Sequence, residues 1–294
     1  MSGWRRRSVL ATVGSGLAAG VGGCAAVGEP RVRTLVAGSL QAAASGALQR
    51  ATEPELAVEA HGSVHAARLL ADGMRDPAIV ALADPTLFDR LLSTAWHAVV
   101  ASNELVVAYN PQTPGGNRVA DADVWTDALA RDDVALGRTD PELDPLGYRT
   151  VFALELAARR RGEPGLAEGV LGPEQRYPET QLLAQFETGG IDAAVVYRSM
   201  AEERGYPYRE LPPAVNLGDP VRAEQYGAVS YELDDGTVVR GAPIEYAAVR
   251  RRDDGATVRA FETLLDGDWL TEHGFAVRQQ HPRLEGDVPN DLAG

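Results

Sequence analysis

The residues of this chain that could do chemistry stand where apolar, helix-like runs begin. The segment Gly137–Arg149, GRTDPELDPLGYR, holds two Asp-Pro steps and leads into Thr150–Arg159, whose apolar spacing predicts a helix. An X-Pro step favours extended or turn geometry and proline suits a first helical turn, so Asp144 or Pro145 is expected at a helix N-terminus. Such a terminus offers unpaired N–H groups and the positive end of the helix dipole, a setting for an anion. Asp144 is equally suited to the plainer task of capping the helix. Upstream, one grammar occurs twice. Val32–Ala37 runs into Gly38-Ser39 and the helical pattern Leu40–Ala51; Leu56–Ala60 runs through His61-Gly62-Ser63 into Val64–Asp72. At each turn a serine hydroxyl and the following N–H groups converge, again anion-site geometry, with a simple cap as the alternative. Glu179 precedes a further helix, Gln181–Glu187, where a first-turn carboxylate favours the dipole.

The elements that must position these groups alternate between strand and helix, which predicts an α/β fold with mainly parallel sheets. Ile79–Ala83 reads as a short buried strand, Trp96–Tyr109 as two β-rich runs, and Ile191–Tyr197 as a strand ending in Tyr197. The composition breaks at Pro111–Asn117, where a crossover to a second lobe is expected. Asp234-Asp235-Gly236 is a hairpin signal, so Tyr226–Leu233 is expected to pair with Thr237–Val249. The tail from Arg278 is polar and reads as loosely held.

With 294 residues the chain can bury a large core. Its 42 acidic residues exceed its 28 basic ones, all of them arginine, and isoleucine occurs only at 79, 191 and 244. That pattern fits a GC-rich genome and a salt-loving organism, and the charge argues against nucleic acid as a partner. Residues 1–24 resemble a twin-arginine export signal with a lipobox: Arg6-Arg7-Ser8-Val9-Leu10, a Gly/Ala-rich apolar run, then Val21-Gly22-Gly23-Cys24. The run is too short and too rich in glycine for a membrane span. Cys24 is the only cysteine, which excludes disulfides within the chain, and it is expected to carry a lipid that tethers the protein to the outer face of the cytoplasmic membrane. Cleavage before Cys24 would remove three arginines and take the formal charge from −14 to −17.

The order of VAGSL (Val36–Leu40), GSVHAAR (Gly62–Arg68), GRTDPELDPLGYR, ETQLL (Glu179–Leu183), GGIDAAVVYRS (Gly189–Ser199) and LPPAVNLGDP (Leu211–Pro220) resembles the molybdate- and tungstate-binding proteins of ABC transporters, closest to their archaeal branch. The resemblance implies a type II periplasmic-binding-protein fold, two α/β lobes joined by two hinge strands with a ligand cleft between. Residues 31–108 and 224–294 would form one lobe and 109–223 the other. It implies a monomeric solute-binding protein that hands the oxyanion to an ABC permease, with no cofactor beyond that cargo. The oxyanion oxygens would be held by Ser39 and the N–H of Leu40, by Ser63, by backbone around Asp144, Pro145 and Leu146, and by Tyr197. Asp144 and Glu179 would bind the molybdenum or tungsten centre itself. This chain departs from the family in a short segment between Tyr148 and Glu179, and in Ala214 where an acidic residue is expected.

Two other readings compete. A binding protein for sulfate or phosphate would need only hydrogen-bond donors, so Asp144 and Glu179 discriminate: contact of both with the ligand would favour a transition-metal oxyanion. A secreted α/β enzyme is less favoured: Ser39 lies in AGSL rather than GxSxG, and His61, His65, His97, His273 and His281 lack metal-ligand spacing.

Overall fold

The computed structural model describes residues 31–292; the signal-like segment and Cys24 lie outside the described residues. The strands are β1 (Val32–Ala37), β2 (Leu56–His61), β3 (Ile79–Leu82), β4 (Trp96–Asn103), β5 (Leu105–Tyr109), β6 (Leu136–Thr139), β7 (Arg176–Tyr177), β8 (Ala193–Tyr197), β9 (Tyr208–Glu210), β10 (Ser230–Glu232), β11 (Val238–Arg240), β12 (Ile244–Arg250) and β13 (Arg283–Gly286). Within the described residues they form a six-stranded sheet in the order β13-β4-β12-β3-β1-β2, a five-stranded sheet in the order β7-β6-β8-β5-β9, and the hairpin β10-β11. The central strands β3, β4 and β8 are buried at every residue, as expected for strands covered by helices on both faces.

Each sheet is mixed in a way that explains the two-lobed form. β1 pairs parallel with β2 and β3, and β6 parallel with β7 and β8. The antiparallel members include β5, which arrives from the first lobe, and β12, which returns to it. The chain therefore crosses to the second lobe at Glu104, between β4 and β5. That is earlier than the Pro111–Asn117 break, which instead follows β5 and opens the helix Pro114–Asp121. β5 belongs to the second sheet because its whole length pairs with β8. The two crossing segments are bound to one another: Leu105 N–H donates to the Asn216 carbonyl and Ile244 N–H to the Leu217 carbonyl, both at 2.8 Å.

Two further sequence expectations are corrected. The Asp-Gly turn forms, yet only β10 and β11 pair around it; β12 leaves the hairpin for the large sheet, where its apolar residues are buried. The polar tail is not loose, for β13 adds an edge strand to β4.

Candidate functional site

The helix Pro145–Arg161 shows how local sequence builds the site. Asp144 is its N-cap, with Oδ1 accepting from Leu146 N–H at 2.8 Å, and Pro145 takes the first helical position. Arg159, Arg160 and Arg161 lie at the negative end of the dipole, and Gly162, at φ +68°, closes the helix in the left-handed conformation. The helix Ser63–Ala71 starts at the β2 turn, a short 3-10 turn Gly38–Leu40 follows β1, and the helix Glu179–Glu187 starts after β7.

These starts meet across the cleft, which is closed. His65 N–H donates to the Leu143 carbonyl at 3.2 Å, and Arg68 Nη1 to the Glu142 carbonyl at 2.8 Å. A Cβ at Gly62 would overlap the Leu143 carbonyl oxygen, and one at Gly38 would overlap Glu179 Oε2. Gly62 thus lets the lobes approach backbone to backbone, and Gly38 makes room for the Glu179 carboxyl group. A cavity of about 450 Å³, lined by Ser39, Gln41, Glu179, Leu183, Met200 and Arg204 among others, lies between the lobes beside Glu179.

Two carboxyl groups are shut into this contact. Asp144 is 4 % exposed and Glu179 8 %. Burial pushes Asp144 up to about 6, against the pull of the Leu146 N–H, the Arg149 charge and the Thr139 hydroxyl. Burial, and then the charge of Asp144, hold Glu179 well above the usual carboxylate range, with Arg204 drawing it down only in part. Glu179 Oε2 has no hydrogen-bond partner among the described residues. A buried oxygen left unpaired costs stability, and a ligand that engaged it would relieve that cost.

The three hydroxyls singled out in the sequence are all buried here, and each accepts a hydrogen bond from the protein. Ser63 Oγ accepts from Ala83 N–H at 3.0 Å, Ser39 Oγ from the Tyr246 hydroxyl at 3.1 Å, and Tyr197 Oη from Arg149 Nη1 at 2.7 Å. Ser63 and Tyr197 accept from N–H donors and therefore keep their own protons to donate. Leu40 is fully buried behind Ser39. Pro145 and Leu146 differ from expectation: proline has no N–H, and the Leu146 N–H is engaged by Asp144, so in this state neither offers a free donor. Both the cap and the cleft position of Asp144 are real, because one oxygen of the carboxylate does the capping.

Sequence reasoning missed Arg149, Asp84, Tyr148 and Tyr246. Arg149 is 4 % exposed and lies between Tyr197 and Asp84, with Nη2 3.9 Å from Asp84 Oδ2. Burial works against its charge, and Tyr197, Asp84 and Tyr148 more than offset this, so it is held above its ordinary value. The signal for it was its place in the same GRTDPELDPLGYR segment, one helical turn past Asp144. The histidines form no metal site: His61 pairs with Glu59, and no group of three or more His, Cys, Asp or Glu among the described residues could hold a metal ion.

Two mixed α/β lobes with helix starts facing across a closed cleft make up the two-lobed periplasmic-binding-protein fold. The sequence agrees: residues 32–275 match the family of bacterial extracellular solute-binding proteins, and the chain belongs to that family. It is 56 % identical, over 97 % of its own length and 95 % of the relative's, to a Haloferax volcanii protein provisionally named an ABC transporter molybdenum-binding protein. It is 32 % identical to the molybdate/tungstate-binding protein WtpA of Thermococcus kodakarensis, over 80 % of this chain and 76 % of that one. The periplasmic molybdate-binding protein of Azotobacter vinelandii has the same fold, with a TM-score of 0.58 at 13 % identity over 85 % of this chain and all of that one. The family is one of transport binding proteins rather than enzymes. No helix among the described residues is long and apolar enough to cross a membrane.

Proposed function

We propose that this protein captures tungstate or molybdate between its lobes and delivers it, as a monomer, to an ABC importer. The observation that carries the reading is the pair Asp144 and Glu179, two buried carboxyl groups placed among hydroxyl donors. Beside an ordinary dianion such a pair would be repelled. Beside an oxyanion with an accessible high-valent metal, hard carboxylate oxygens become ligands, so attraction to the metal offsets the repulsion. Ser39, Ser63 and Tyr197 would then donate to the oxyanion oxygens, while Glu179 Oε2 would gain the partner it lacks. The names carried by the Haloferax and Thermococcus relatives support the same cargo.

The protein is exported and held at the membrane by a lipid on Cys24. That part of the reading rests on the Arg6-Arg7 signal and the lipobox alone. Its acidic, lysine-free composition suits a surface that works in concentrated salt.

A ligand that binds only the folded state raises its melting temperature. In high salt, tungstate and molybdate are expected to raise it far more than sulfate and phosphate do. Equal shifts from all four anions would remove the metal-coordination reading and leave a general oxyanion binder.

A further inference from the structure

We propose that Arg149 is the positioning residue of this site: it turns the Tyr197 hydroxyl into an obligate donor to the bound oxyanion, and Asp84 holds Arg149 in place only when the lobes are closed. This rests on the oxyanion reading above. Arginine can only donate, so Tyr197 Oη must accept from Nη1 and must send its own proton elsewhere. Among the described residues the Tyr197 hydroxyl donates to none. Tyr197 lies within the influence of Asp144, and burial holds its phenol well above the usual range, so it stays a protonated donor.

The placement of Arg149 depends on both lobes. Asp84 follows β3 in the first lobe, where its Oδ1 is fixed by Thr86 N–H at 3.0 Å and by the Thr86 hydroxyl at 2.8 Å. Its Oδ2 faces the second lobe, accepting from the Tyr148 hydroxyl at 2.5 Å with Arg149 Nη2 at 3.9 Å. Tyr148 and Arg149 are neighbours on the helix Pro145–Arg161, so both contacts break when the cleft opens. The Arg149–Tyr197 hydrogen bond is charge-assisted, and both of its partners are buried. Loss of a charge-assisted hydrogen bond in such surroundings costs more than loss of a neutral one.

A double-mutant cycle separates positioning from bulk structure. Affinity is measured by calorimetry for Tyr197→Phe, Arg149→Met and the double variant, using whichever of tungstate, molybdate, sulfate or phosphate the unmodified protein binds most tightly. Each single change is expected to weaken binding by about tenfold or more. In the Tyr197→Phe background, Arg149→Met should add less than about threefold, and Arg149→Lys, which keeps a donor and a charge, should recover part of the loss. Equal losses from Arg149→Met in both backgrounds would overturn the proposal. If Arg149→Met does not fold, Asp84→Asn serves: it can keep the Thr86 contacts but sets an NH2 in place of the Oδ2 that faces Tyr148 and Arg149, so dissociation should quicken with association unchanged, and unaltered dissociation would overturn the proposal. Tight binding of sulfate instead of tungstate would remove the metal reading and leave the cycle fully readable; binding of none of the four would overturn both.

Discussion

The two faces of the cleft are built by the same local grammar and end in different chemistry. On the first lobe, the turns after β1 and β2 present glycine and serine, so that face is small, neutral and rich in donors. On the second lobe, the starts of the helices Pro145–Arg161 and Glu179–Glu187 present Asp144 and Glu179, with Arg149 and Tyr197 behind them. A helix N-terminus tolerates either a hydroxyl or a carboxylate, so the fold alone does not choose between them. On the proposed reading, the first lobe meets only oxyanion oxygens, whereas the second lobe meets the central metal as well.

The sharpest way to break that division is to remove the charges from one face only. Asp144→Ala with Glu179→Ala should weaken tungstate by more than about a hundredfold while sulfate, relieved of two repelling carboxylates, does not weaken. Ser39→Ala, on the opposite face, should weaken both anions by a similar factor of about ten. Competition binding measures all three, and a double carboxylate variant with unchanged tungstate affinity would return both residues to simple helix-start roles.

The next largest effect concerns closure. At Gly62 an added Cβ meets the Leu143 backbone, which cannot move aside as a side chain can. Gly62→Ala should therefore hold the lobes apart and speed oxyanion release by about tenfold or more, read by stopped-flow, with a smaller effect on capture. A release rate equal to that of the unmodified protein would show that the turn tolerates the extra atom.

The smallest effect expected is that of pH. Asp144 is raised from 3.8 to about 6 and Glu179 lies well above 4.5. Because both are raised, they stabilise the closed, ligand-free fold fully at low pH, and that contribution fades as pH rises through about 6. Tungstate needs both groups ionised, so its affinity should fall as pH drops from about 8 towards 5, with protons released on binding. Sulfate should show the reverse, since protonated carboxyls repel it less. Calorimetry in two buffers of different ionisation enthalpy detects this, and parallel pH profiles for the two anions would contradict it.

What the sequence reveals follows the range of each interaction. The Asp144 cap, the proline at the first helical turn and the serines after β1 and β2 are local signals, and the structure places them where those signals point. The lobe to which LVVAY belongs is not local: β5 has the same apolar pattern in either sheet, and only its pairing with β8 decides. The edge strand RLEG is hidden by its own polarity. Arg149 is the clearest case: its segment marks a helix start near the cleft, but does not say that a charged residue in the second turn points inward to a tyrosine 48 positions away.

The central claim is that Asp144 and Glu179 become ligands of the metal in the bound oxyanion. X-ray absorption at the tungsten edge, on the loaded protein, tests it directly by counting oxygen neighbours. The account predicts about six, with two longer distances that disappear in the Asp144→Ala, Glu179→Ala variant. A tetrahedral tungstate with about four equal oxygen neighbours in the unmodified protein would contradict it.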